Sequence, residues 1–329
     1  MKIAYKITGV SDDAAKRVTS ITVSDEQGIK SDKVEIVFDD RDYALSPPAL
    51  GLVFDVYLGY ENNGPPLTKL GTFQVDEVKF SESEAAYVTV SGSAMFTNDE
   101  TIKAPTTNTY DEKTIGEIAS EIASRHGYTP DIDGDIASIY VDHLDQNEES
   151  DIHFLTRIAE EHDAFVKIQD QKLIVRSRDK TEGLIVAIKA PIYQFSSSDV
   201  VVMVPTSVSI TQNARNKYNA VRAYWHDPDA AKRKGEVVGS GDPEFKIRRT
   251  FPTKEAAKQA AAAKFKQLKR GTESMDAFNA PGDPNIRAGM DLTMINFRNE
   301  VNGDWIVTSV THTMNSSGYK TSLRADRKQ

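Results

Sequence analysis

Two stretches of this chain repeat one another. Gly71, Phe73, Val75 and Val78 are followed by Tyr87 and Thr89, and Gly303, Trp305, Val307 and Val310 are followed, at identical spacing, by Tyr319 and Thr321. Upstream, Gly51 precedes Phe54 and Val56 just as Gly289 precedes Leu292 and Met294; only the intervening hairpin differs in length. Such self-similarity restricts a fold more than composition does, because equal spacing places equivalent side chains in the same layers of two related sheets. Twisted hairpins in general reuse glycine, aromatics and valine, so chance reuse stands beside duplication as an explanation. Duplication predicts two barrels that superpose with Phe73 over Trp305 and Tyr87 over Tyr319, a layout suited to a ring with doubled pseudo-symmetry.

The texture between the repeats is different. Residues 1–98 read as short strands with period-two alternation: Val34, Ile36 and Phe38 share one face, as do Phe54, Val56 and Leu58, and ENNGPP at 61–66 is a hairpin loop. From about residue 99, Thr114 and Glu117 form a capping box ahead of an apolar stripe of Ile115, Ile118, Ala119, Ile122 and Ala123. A second helix starts at Ser150, and two strands joined near Asp170 follow it, so 99–182 reads as a small α/β domain. Strands return over 183–329, interrupted by a helix over 253–270 that Thr253 caps and Gly271 ends. The predicted fold is therefore α+β and mainly β, with two related tube-like β-barrels (1–98 and 183–329) around the α/β domain.

At 329 residues, with 39% hydrophobic and 27% charged side chains, the chain has apolar material for more than one core and needs no cofactor to fold. It lacks cysteine, which removes disulfide and thiol chemistry. No run of residues reaches the length of a membrane helix, so membrane insertion is not expected. The first ten residues lack a signal-peptide core, which points to assembly in a cytoplasm. The net charge of −9 argues against stable nucleic-acid binding, yet it hides a strong segregation. Residues 1–214 carry 19 basic and 36 acidic side chains, 215–270 carry 15 and 6, and 271–329 carry 6 and 7. The basic segment, including Arg222, Arg248 and Arg249, is expected at contacts with a neighbouring subunit or partner.

The candidates for chemistry are weak. Asp131, Asp133 and Asp135 suggest a calcium loop, but Gly134 falls fourth instead of sixth and the twelfth position is Asp142, not a bidentate Glu. His143, His153 and His162 do not share a helical face. The pairs Glu148/Glu149 and Glu160/Glu161 lie in charged stretches that read as solvated faces. There is no nucleophile elbow and no P-loop, so no catalytic, cofactor or metal residue is assigned.

The segment QNEESDIHFLTRIAEEHDAFV carries the most specific pattern, Q-x-x-E-S-D-x-x-F-L-x-R, in Gln146, Glu149, Ser150, Asp151, Phe154, Leu155 and Arg157. Together with Pro48, Gly51, Gly59, Tyr60, Gly71 and the terminal GDWIVTSVTHTMNSSGYKTSL, it resembles the late control D family of phage tail proteins and the hub portion of VgrG-type spikes. In plain structural terms, Ser150 is an N-cap, Asp151 an acidic first-turn residue, and Phe154 and Leu155 core anchors. The resemblance implies a non-enzymatic baseplate hub: a homotrimer whose six barrels surround a channel and adapt a sixfold tail tube to a threefold spike. It implies as partners a separate spike polypeptide, a tail tube or tube-initiator protein and a tape-measure protein, in a phage tail or tail-like injection particle. The alternative is a carbohydrate- or receptor-binding β module, which would favour exposed aromatics. Trp225 and Trp305, both in alternating strands, are instead expected to face a core. A cell-wall hydrolase is the third reading and lacks a constellation.

Overall fold

Alternating apolar residues define the first six strands: β1 (Ile3–Ile7), β2 (Val18–Glu26), β3 (Lys33–Asp39), β4 (Val53–Tyr60), β5 (Thr68–Ser81) and β6 (Tyr87–Ala94). A single turn of helix, α1 (Asp12–Lys16), is capped by Ser11 between β1 and β2. Val34, Ile36 and Phe38 on β3 and Phe54, Val56 and Leu58 on β4 are each at most 3% exposed, as a period-two strand with one inward face requires. They share a core with Phe73, Val75, Val88 and Val90. This computed structural model describes every residue except 1, 29–30, 63, 83–85, 95–99, 170, 179–182, 189–199, 213–217, 229, 271 and 329. The turn expected at Asp170 and the helix end expected at Gly271 lie outside the described residues.

The middle of the chain runs β7 (Pro105–Thr114), α2 (Ile115–Arg125), β8 (Thr129–Ile132), α3 (Gly134–Ala137), β9 (Tyr140–Ser150), α4 (Asp151–Glu161), β10 (Ala164–Gln169) and β11 (Lys172–Ser177). Thr114 and Glu117 make both hydrogen bonds of the capping box, and the stripe from Ile115 to Ala123 is buried. Next come β12 (Leu184–Ile188), β13 (Val200–Met203), β14 (Ser207–Gln212), β15 (Ala220–Asp227), β16 (Lys232–Gly239) and β17 (Glu244–Phe251). The chain ends with α5 (Lys254–Arg270), β18 (Glu273–Pro281), β19 (Asp291–Ile295), β20 (Gly303–Asn315) and β21 (Gly318–Arg327). The Thr253 hydroxyl accepts from the Ala256 amide at the start of α5.

By its contacts the chain divides into two units. One comprises Met1–Thr97, Thr181–Ser209 and Met275–Ala325; the other comprises Asn98–Lys180, Ile210–Ser274 and Asp326–Gln329. The expected second β domain, 183–329, is thus discontinuous. Its middle forms a separate core in which Val221, Ala223 and Phe251 pack on Ala257, Ala260 and Ala261 of α5. β14 and β18, which flank this excursion, pair with each other. Strand alternation identifies β15 to β17 but says nothing of which sheet they join.

In the first unit the two halves follow one plan. The first half has the order β1-β4-β5-β6-β3-β2; in the second, β12, β19, β20, β21, β18 and β14 stand in the same succession. Phe54 lies opposite Phe73 and Val56 opposite Gly71, while Leu292 lies opposite Trp305 and Met294 opposite Gly303. Gly51 and Gly289 sit at φ +82° and +90°, where a side chain would be strained, and each donates to the matching valine carbonyl, Val75 or Val307. A hydroxyl–carboxylate pair also recurs with its ends exchanged: Thr72 donates to Asp55 at 2.7 Å, and Thr293 to Asp304 at 2.8 Å. One step departs from the plan, since β1 meets β4 antiparallel and β12 meets β19 parallel.

The expected closed barrels are not found. Among the described residues the strands of the first unit form one thirteen-stranded sheet whose path runs from β1 to β13 without the ends meeting. The physical reason is the use made of β2: its outer edge bonds to β20 of the other half, so it cannot return to β1.

A buried polar cluster separates the halves chemically. His312 is fully buried; its Nε2 faces the Ile286 carbonyl at 3.1 Å, and its Nδ1 faces the hydroxyls of Tyr319 at 2.9 Å and Thr321 at 3.2 Å. A carbonyl can only accept, so Nε2 carries the proton and Nδ1 accepts from the hydroxyls. Burial, followed by the charge of Arg287, pushes the imidazole pKa down to about 4. Folding therefore weakens proton binding by His312, and its stabilising contribution is complete above the unfolded value of about 6.5 and lost as pH falls toward 4. We expect a loss of about 1.4 kcal/mol per pH unit within that window from this residue. Urea unfolding at pH 7 to 4.5 should show a shallower pH slope for His312→Gln than for the wild type.

Candidate functional site

The Q-x-x-E-S-D segment occupies the corner where β9 runs into α4, and β7 pairs along β9 with Pro105 opposite Ser150. The Ser150 hydroxyl accepts from the His153 amide and caps α4. Gln146 is fully buried; its side-chain nitrogen donates to the Glu149 carbonyl at 2.9 Å and to Asp151 Oδ1 at 2.8 Å. Its side-chain oxygen accepts from Asn108 Nδ2 at 3.3 Å. Arg157 reaches back one helical turn and more, donating through Nε and Nη2 to Glu149 and through Nη2 to the Asp145 carbonyl. The motif thus clamps its own corner.

Asp151 does more than the acidic first-turn role expected of it. Its carboxylate is 2% exposed, and Oδ2 accepts from Arg125 Nη1 at 2.9 Å and lies 2.7 Å from His126 Nε2. Arg125 and His126 end α2, and Nδ1 of His126 contacts the Thr101 hydroxyl at 3.2 Å. A single buried carboxylate, favoured by the positive end of α4, therefore ties the C-terminus of α2 to the N-terminus of α4. His126 was not singled out in the sequence; the only available signal was its place directly after the α2 stripe. Below this network Phe154 stacks on Tyr110 with ring centroids 5.3 Å apart, and Leu155 is 2% exposed. Gln146, Ser150 and Asp151 find partners inside the corner, and Arg125 and Arg157 reach it from its half-exposed edge, so the arrangement builds a rigid corner.

The other expected residues are placed as follows. Gly51 takes the left-handed turn described above. A Cβ on Gly59 would stand 2.4 Å from the Pro66 carbonyl oxygen, and one on Gly71 would stand 2.9 Å from the Phe73 ring. Asp131 pairs with Arg176, and Asp133 caps α3. His143 is exposed between Asp111 and Asp145, and the hydrogen bonds they accept raise its pKa. Trp305 is fully buried, while Trp225 is half-buried and donates to Glu236, so Trp225 does not face the core as fully as expected. Arg222 is engaged within the chain by Glu244 at 2.7 Å, and Arg249 by Glu161. The Arg248 carbonyl accepts from Arg233, and its side chain is exposed.

One pocket of about 470 Å³ opens in the second unit, lined by Tyr140, Leu144, Glu161, His162, Arg249 and Phe251 among others. Burial pushes the Glu161 carboxyl up against the opposing pull of Arg249, and burial pushes the His162 imidazole down. Its acid is already spoken for by Arg249, and its walls are mainly apolar.

A duplicated strand plan and a self-clamped corner define a subunit whose specific residues serve architecture. Comparison with known proteins agrees. The family described as phage tail baseplate hub (GPD) matches residues 93–318. A probable baseplate hub protein of Escherichia phage 186 is 26% identical over 360 residues, covering 97% of this chain and 90% of its own; that of Escherichia phage P2 is 27% identical, covering 96% and 90%. The 43 kDa tail protein of prophage MuSo2 from Shewanella oneidensis shares the fold with a TM-score of 0.71 at 13% identity, over 99% of this chain and 98% of that one. The chain belongs to the phage tail baseplate hub (GPD) family. The relatives are named as hub proteins and not as enzymes.

Truncating the clamp removes an acceptor from the buried Gln146 and His126 side chains, while Arg125 keeps Glu121 and partial solvent access, so Asp151→Ala is expected to cost about 1–3 kcal/mol. Leu155→Ala should cost about 2–5 kcal/mol through lost burial and a cavity. Denaturant unfolding followed by circular dichroism checks both values; unchanged midpoints would remove the structural reading of the motif.

Proposed function

We propose that this chain acts by assembly, as one subunit of a homotrimeric ring that joins the tail tube to a separate central spike. The observation that carries this reading is the common strand order of the two halves. Three chains built on it present six similar modules, matching a sixfold tube on one side while remaining threefold for a spike on the other. Membership in the baseplate hub family supports the placement in a phage tail or related particle, with assembly in the host cytoplasm. A tube-initiator or tape-measure protein is the further partner this position would meet.

Charge supports the same reading. The acidic bulk of 1–214 and the basic 215–270 segment differ enough to orient one subunit against the next or against a partner, with Arg248 the most available of the three arginines. Acidic side chains facing a channel would let DNA pass without sticking. Exposed pairs contribute only about 0–1 kcal/mol each, so the effect falls on encounter and orientation more than on final stability.

Native mass spectrometry and sedimentation of the purified chain, alone and with its spike and tube proteins, test the proposal. A trimer is expected, with an association rate that falls as salt rises. A chain that stays monomeric at high concentration and binds neither protein would overturn it.

A further inference from the structure

The chain makes one joint between its two halves and leaves the parts of a second joint open. β2, the second strand of the first half, pairs antiparallel with the later part of β20, the fifth strand of the second half: Ile21 lies opposite Met314 and Glu26 opposite Ser309. On β20 that partner follows β19 along one edge, while β21 takes the other.

By the shared register, the matching part of β5 is Glu77–Ser81. β4 covers β5 only as far as Gln74, and β6 takes the opposite edge, so Glu77–Ser81 has an edge with no described partner. The strand that matches β2 is β14, whose only partner among the described residues is β18. Each half of the missing joint is therefore present once in every chain.

Burial follows the same logic. Phe80 is 61% exposed, whereas His312, its equivalent on β20, is fully buried. Val78 is half-buried and Val310 fully so. On β2, Ile21 and Val23 are no more than 1% exposed, but Val208 and Ile210 on β14 are half-buried. What the internal joint covers, the free edges expose. Free edges normally carry protective charges or bulges, yet β14 reads SVSITQ without a charge.

We propose that β14 of one chain adds to the Glu77–Ser81 edge of β5 in a second copy, antiparallel, reproducing between chains the β2–β20 joint made within each chain. The contact is head-to-tail, because each chain donates one edge and receives at the other, so it propagates until the ring closes. Phe80 and Val208 are buried by it. The inference rests on the reading of the chain as an assembling subunit and adds which strands do the assembling.

Two singly blocked variants test this. Phe80→Asp disables the receiving edge and Val208→Asp the donating edge, so each alone should be monomeric with wild-type circular dichroism. Mixed one to one, they should form a dimer that grows no further, because one good joint remains. A second measurement uses the absence of native cysteine: Phe80→Cys, combined with a cysteine scanned through Ser207–Gln212, should give an interchain disulfide at one or two positions. A monomeric wild type, wild-type assemblies formed by either Asp variant, or no crosslink at any position would overturn the joint. An assembly that survives both Asp variants refutes the joint and leaves the hub reading standing; an intact joint with no binding to spike or tube does the reverse.

Discussion

The ladder between β2 and β20 is the constraint on which the first unit depends. A strand at the end of a module has unpaired amides and carbonyls that must find partners, and β2 finds them on the other module. That choice opens what would have been two separate closed sheets and merges them into one. It also fixes further contacts between the modules: Arg287 donates to the Lys69 and Leu70 carbonyls, the Ala288 amide to Asp25, and Tyr319 packs on Tyr60 at 5.8 Å. The two modules have diverged where they meet. Tyr319 is buried there, and its equivalent Tyr87 remains 37% exposed.

Specificity is handled differently in the second unit. The corner at Ser150 depends on a polar network in a low-dielectric interior, where each member loses more by separation than it gains by being present. Gln146 satisfies a backbone carbonyl and Asp151 together, and Asp151 in turn holds Arg125 beside His126. Such a network explains why the pattern requires an amide, a carboxylate and a small hydroxyl in fixed positions without any ligand.

The insertions follow a simple rule. One leaves the strand plan after β6 and the other between β14 and β18, both at connections where a long excursion costs little loop entropy. The second has its own alanine-rich helix to cover β15, and within it residues 215–270 carry 15 basic side chains against 6 acidic ones.

Much of this was legible in the residues. Equal spacing around Gly71 and Gly303 identified equivalent strands, because period-two burial and a glycine turn depend only on local backbone geometry. The caps at Thr114, Ser150 and Thr253 were visible for the same reason, and the Gln146 to Arg157 pattern placed the corner. Three things were decided only by the tertiary structure: that β2 joins β20 instead of closing a barrel, that 210–274 leaves the second β region, and that Asp151 meets His126 and Arg125. Each is a pairing between residues far apart in the chain, and alternation, capping and charge order carry no information about which distant edge or side chain a group will find.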